Sequence, residues 1–128
     1  MNSKKSLRIA VIGAGPSGIA TGHELLAKGF TNFQIFEKAP ATGGTWHLHT
    51  YPGLACDVWA HSYTFSYRPN PDWTASFAGQ PEIEAYLQTC VREFGLEPYL
   101  KLNTRVTSAI FNETEATWQL TSEAGESW

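Results

Sequence analysis

Residues Leu7–Gly18, LRIAVIGAGPSG, decide how the rest of the chain is read. An apolar run enters Gly13-Ala14-Gly15-Pro16-Ser17-Gly18, and a helix-forming stretch follows at once. A second apolar run, FQIF, then ends at Glu37, about 20 residues beyond the glycines. A GxGxxG pattern alone is weak. Between a strand and a helix, with an acid at this distance, it reads as a dinucleotide-binding βαβ unit. Gly13 permits the tight turn out of the strand, Gly15 lets the backbone approach a pyrophosphate, and Gly18 lets the helix lie near the sheet. Pro16 and Ser17 open that helix, whose first amides and partial positive charge face the phosphates. Glu37 can accept hydrogen bonds from the adenosine ribose. A carboxylate there disfavours a 2′-phosphate, so FAD or NAD is expected rather than NADP; Lys38 beside it weakens that exclusion slightly. The bland alternative is a glycine-rich turn that binds nothing.

The chain has 128 residues, enough for one domain with a real core, and its 42% hydrophobic and 16% charged residues are ordinary for a globular protein. The formal net charge is −3, and Arg68 is the only Lys or Arg between Ala39 and Val91. No basic surface for a nucleic-acid partner is expected. No apolar run approaches the roughly 20 residues of a membrane span. Lys4, Lys5 and Arg8 precede a short strand rather than a signal-peptide core and cleavage site. Cys56 and Cys90 are read as free thiols of a reducing compartment, which makes the expected location cytoplasmic.

The predicted elements are a buried parallel strand over 7–12, a helix over 16–28 stopped by Gly29, and a second strand over 32–36. Strand, helix and strand in this order imply a right-handed crossover and a parallel sheet. Residues 39–79 lack periodicity and are rich in Gly, Pro and aromatic residues, which in a segment this long points to function. Its aromatics are expected to form a cluster over the sheet edge, a few of them lining a flat-ring cofactor. A helix is predicted over 81–94, with Ile83, Tyr86, Leu87, Cys90, Val91 and Phe94 on one stripe. A third parallel strand over 99–102 and an antiparallel hairpin over 106–111 and 117–121 follow. The fold class is thus α/β, a Rossmann-like dinucleotide domain with a parallel sheet and a β-meander, read as ending before the last parallel strand. Within 1–128 the divisions are 1–38 for the βαβ unit, 39–79 for the aromatic loop region, 80–95 for the helix and 98–128 for the strand and meander.

After Glu37 the chain continues EKAPATGGTWHLHTYPGLACDVWAHSYTFSY. With GAGPSG, Glu37, Gly43-Gly44-Thr45-Trp46, Tyr51-Pro52-Gly53, Cys56-Asp57, the Ser62–Ser66 run and the Gln80-Pro81-Glu82-Ile83 helix start, it resembles the N-terminal, FAD-binding part of the class B flavin monooxygenases. Baeyer–Villiger enzymes are the nearer likeness and the N- and S-oxygenating enzymes the next. The resemblance implies FAD, with Gly13, Gly15 and Gly18 at the pyrophosphate, Glu37 at the ribose, and Gly43, Gly44, Thr45 and Trp46 beside the flavin end. It also implies Asp57 and Tyr63 near the isoalloxazine ring, Asp57 as the residue that tunes the reacting site, and the Val106 backbone at the adenine. Asp57 could instead cap a turn, and Tyr63 could be a packed core tyrosine. NADPH, in that family, binds through a second glycine-rich loop that this chain lacks, and the family's long fingerprint is absent too. The implied reaction places one oxygen of O2 into a ketone or onto nitrogen or sulfur of a small substrate. The 128 residues alone are expected to be inactive, and an open sheet edge invites self-association.

The residues leave rivals open. A disulfide-reductase-like flavoprotein would want a redox Cys pair, which Cys56 and Cys90 are not spaced to form. A non-catalytic FAD- or NAD-binding module is the rival from another class. His47 and His49 alternate on a loop, but with no acid or thiol ligands at suitable spacing no metal site is expected.

Overall fold

The computed structural model describes residues 7–128, so Lys4 and Lys5 lie outside the described residues. Three parallel strands, β1 (Ile9–Ile12), β2 (Phe33–Phe36) and β3 (Leu100–Lys101), form one sheet in the order β1-β2-β3. Ile9 pairs with Phe33 and Ile12 with Phe36, while Ile35 and Phe36 pair with Leu100 and Lys101. The helix α1 (Pro16–Ala27) makes the crossover from β1 to β2, with Pro at its start, where a missing N–H costs nothing. The way from β2 to β3 runs through the long aromatic segment. That segment holds only the short helix α2 (Thr45–Leu48) and a 3-10 turn at Ala60–Ser62 before α3 (Gln80–Glu93). A separate hairpin, β4 (Val106–Asn112) and β5 (Thr117–Ser122), closes the described chain.

The core lies between the sheet and the two long helices. Ile19 of α1, Ile35 of β2, Ile83 and Cys90 of α3 and Leu96 are fully buried there. Each predicted element is present, within a residue or two of its expected ends. The predicted stripe on α3 is buried from Ile83 to Val91, with Phe94 half-buried at its end.

One expectation is corrected. The first strand is not buried on both faces. Ile12 is 59% exposed, while Ile9 and Val11 pack on the core. Among the described residues β1 pairs with β2 alone, and α1 covers one of its faces, so alternate residues meet solvent. The hairpin is likewise more open than a half-buried one, since the neighbours Ile110 and Phe111 point to opposite faces and both are exposed.

The aromatic segment clusters largely as expected. Trp46 and Trp73 are buried, and Phe65 and Tyr67 stack at 5.4 Å and reach Phe94, the residue that caps the end of α3. His23 of α1 stacks on Tyr67 at 4.1 Å, a contact without a local sequence signal. Tyr51, Trp59 and Phe77 stay exposed.

The clasp of this segment is Tyr86. Its hydroxyl donates to the Arg68 carbonyl at 2.7 Å and accepts from the Phe65 amide at 2.9 Å. The Arg68 guanidinium in turn grips the Glu93 carboxylate with two hydrogen bonds, which hold that carboxyl below its usual range. Tyr86→Phe keeps the ring but strands a donor and an acceptor, so a loss of about 1–3 kcal/mol is expected in urea denaturation. Burial pushes the Tyr86 phenol up to about 12, from 10.0. The unfolded chain therefore loses this proton first as pH rises. The stabilisation is complete below about pH 10 and fades as pH climbs toward about 12. Tyr86→Phe should flatten that alkaline limb of the stability profile.

Candidate dinucleotide site

The loop between β1 and α1 is built by two different demands on glycine. Gly13 has φ +97°, a conformation costly for any side chain, and its amide donates to the Phe36 carbonyl at 2.7 Å. At Gly18 the demand is space. A Cβ there would lie 2.9 Å from the Gly13 carbonyl carbon and closer still to its oxygen. Gly15 is under neither demand. Its φ is −76°, and a Cβ would meet only the Gly44 backbone, Cα at 3.5 Å and N at 3.9 Å, both ordinary contacts. The fold tolerates a side chain at position 15, so a glycine there fits the close approach of something outside the fold. The first-turn amides of α1 have no acceptor within the helix and sit beside that position.

A second glycine turn rests on the first. The Gly43 amide donates to the Ala14 carbonyl at 2.9 Å. Gly44, at φ +58°, sits so close that its Cβ would come within 2.9 Å of Gly15 Cα. Gly44 caps α2, which carries Thr45 exposed and Trp46 buried. The Trp46 indole donates to the Tyr63 hydroxyl at 2.9 Å, with the rings edge to face. Tyr63 is half-buried and, with Pro16, Phe65, Ile83 and Leu87, lines a mainly apolar hollow of about 170 Å³ at the start of α1.

Glu37 has a role that the sequence does not suggest. It is 4% exposed, and its carboxylate accepts from the Ala14 amide at 2.7 Å and the Ala39 amide at 2.8 Å. It thereby ties the glycine loop to the end of β2. A carboxylate has about four acceptor positions, so two remain for other donors. Beyond Glu37, the chain after β2 and the chain after β3 part around a hollow of about 600 Å³. Lys38, Ala39, Asn103, Thr104 and Arg105 line it, with Glu123 and Glu126 opposite. It opens at the carboxyl ends of parallel strands, where α/β sheets bind their ligands. Val106 follows directly on this lining as the first residue of β4.

The structure thus gathers Gly13, Gly15, Pro16, Ser17, Gly18, Glu37, Gly44, Trp46 and Tyr63 into one region, with Lys38 lining the neighbouring hollow and Val106 next in the chain after its lining residue Arg105. Asp57 stands apart. It is exposed just after the bridge that pairs Ala55 with Gly79, and it lines neither hollow. Cys56, buried beside it, is held by its amide on the Ala78 carbonyl. His47 is engaged by Glu84 at 2.7 Å. That pair joins residues far apart in the chain, and no spacing rule finds it.

The resemblance drawn from the sequence holds. The chain is 42% identical over 118 residues to a Baeyer–Villiger monooxygenase of Pseudomonas aeruginosa, covering 92% of this chain and 22% of that protein. Among solved structures, cyclohexanone monooxygenase in an open crystal form is similar at a TM-score of 0.88 and 38% identity, over 94% of this chain and 24% of the other. A structure of OTEMO in complex with FAD and NADP is similar at a TM-score of 0.88 and 29% identity, over 95% of this chain and 24% of that one. The chain therefore spans less than a quarter of the length of these relatives. A family described as NAD(P)-binding Rossmann-like domain matches residues 11–79, more than half of the chain. With its strand, glycine turn, helix and acid in the places that such a domain requires, this chain belongs to the NAD(P)-binding Rossmann-like domain family.

Proposed function

We propose that this chain holds FAD within an NADPH-dependent flavin monooxygenase that places one oxygen of O2 into a ketone or onto a nitrogen or sulfur atom. The single observation that carries the reading is Gly15, a glycine whose own fold leaves room for a side chain beside the first amides of α1. The names of the relatives, Baeyer–Villiger monooxygenase and cyclohexanone monooxygenase, support the class of reaction.

In this reading residues 1–38 bind the nucleotide half, and residues 39–79 lie toward the ring. The turn Gly13–Gly18 and the helix start at Pro16 and Ser17 hold the pyrophosphate against first-turn amides. Glu37 accepts from the ribose hydroxyls with the positions its amide partners leave free. Lys38 and the backbone leading to Val106 border the adenine hollow. Gly44, Thr45, Trp46 and Tyr63 wall the approach to the ring. Asp57, exposed and free to meet a cation, orients the charged partner that reaches the reacting centre. Bound there, FAD supplies the redox and oxygen chemistry, and the protein supplies position and electrostatics.

The family's description names NAD(P), so a nicotinamide dinucleotide is the second reading for the same cradle. The intact gene product decides between them. Purified gently and then denatured, it should release FAD in about one-to-one amount, identified by its absorbance and by chromatography. Release of NAD, or of no nucleotide together with failure to take up added FAD, overturns the proposal.

A further inference from the structure

Glu84 stands in the second turn of α3, away from the glycine loop, yet its carboxylate gathers three donors. His47 Nδ1 lies 2.7 Å from Oε1, Gln80 Nε2 lies 2.9 Å from Oε2, and Gln88 Nε2 lies 3.2 Å from Oε1. The carboxylate can only accept, so Nδ1 is the protonated nitrogen of His47 in this pair. Gln80, 7% exposed, also donates to the Trp46 carbonyl. Trp46 and His47 are the second and third residues of α2, so the start of α3 grips that four-residue helix at two adjacent points. The side chains of His47 and Glu84 are 25% and 23% exposed, which shields the pair from much of the solvent screening.

What α2 carries gives this grip its consequence. Gly44 is its cap; the Gly43 amide is bonded to the Ala14 carbonyl, and Gly44 lies so near Gly15 that its own Cβ would come within 2.9 Å of Gly15 Cα. Packed backbones transmit small displacements. A shift of α2 by a few tenths of an ångström would therefore move the Gly44 backbone against Gly15, or open a gap beside it. A helix this short cannot hold its own position, because it has too few internal hydrogen bonds.

We propose that Glu84 is a positioning residue for the dinucleotide: through His47 and Gln80 it fixes α2 so that Gly44 supports Gly15. It acts on cofactor affinity without touching the cofactor. This rests on the FAD reading above, and its failure can be told from the failure of that reading.

The test uses the intact gene product with its flavin removed and then titrated back, followed by flavin fluorescence. Glu84→Ala leaves His47 and two glutamines without their acceptor, and the FAD dissociation constant should rise about tenfold. Glu84→Gln can still accept from Gln80 and donate to His47 in its other tautomer, with the Gln88 amide turned over to accept, so it should stay within about twofold of the parent protein. The thermal midpoint of each flavin-free protein is read alongside. A merely structural role predicts that Glu84→Ala lowers that midpoint and leaves the affinity unchanged, and this result overturns the proposal. Equal losses of affinity in the Ala and Gln variants also overturn it. Should Glu84→Ala not fold, His47→Ala and Gln80→Ala remove the two contacts one at a time, and a parent-like affinity in both variants is equally fatal. A parent protein that takes up no flavin refutes the FAD reading itself, whereas parent-like affinity in Glu84→Ala refutes only the positioning role.

Discussion

Gly15→Ala is expected to fold and to lose its cofactor. The added methyl would rest 3.5 Å from Gly44 Cα, an ordinary contact, and φ at this position is already that of any residue. The protein itself should lose only about 1 kcal/mol, because alanine is a poorer helix N-cap than glycine. The ligand has no such room. A methyl between the turn and a pyrophosphate lying on it forces the phosphates away from the amides of α1. Overpacking of this kind costs about 1–3 kcal/mol, so FAD should bind roughly 5- to 150-fold more weakly. Titration of the flavin-free intact protein measures the affinity, and urea denaturation measures the stability. If Gly15→Ala binds FAD as the parent does, no ligand passes over this glycine and the proposed function loses its main support.

The second large effect is the reverse. Gly18→Ala should unfold the domain before any question of cofactor arises. Its Cβ would overlap the Gly13 carbonyl, which is backbone and cannot rotate away. Nor can Gly13 retreat easily, since its amide is anchored on the Phe36 carbonyl at 2.7 Å. Alanine is the better helix former by about 1 kcal/mol, but that gain is smaller than the overlap it creates. A net loss of about 3 kcal/mol or more is expected, seen as a lower urea midpoint or as insoluble protein. A variant as stable as the parent would mean that α1 can pivot away from the turn. Gly22→Ala offers a scale between the two. There the Cβ would meet the tips of Ile35 and Leu96 at 2.9 Å, and flexible side-chain ends can give way.

These two glycines also show how far the sequence could be read. Their pattern marked the turn, the helix and the acid, and the structure places all three together. The α3 stripe was legible because 3.6-residue periodicity is written in neighbouring residues. The burial of β1 was not. An apolar run does not say which neighbours a strand has, and only the sheet order among the described residues shows that β1 pairs with β2 alone. Glu37 was legible as an acid at the right distance, but its grip on Ala14 was not, because that bond spans 23 positions. His47 suggested at most half of a metal pair, whereas its partner proved to be Glu84, 37 positions away on another helix.

Local order was therefore settled by the amino-acid chain alone. Where the glycine loop turns, where α1 and α3 begin and stop, and which stripe α3 buries follow from sterics and periodicity between near neighbours, whereas the short α2 does not. The tertiary structure alone decided what each of those pieces meets. It set Gly44 on Gly15, the Glu37 carboxylate on the loop amides and α3 against α2. Such meetings depend on how long irregular segments fold back, and no period in the sequence records that path.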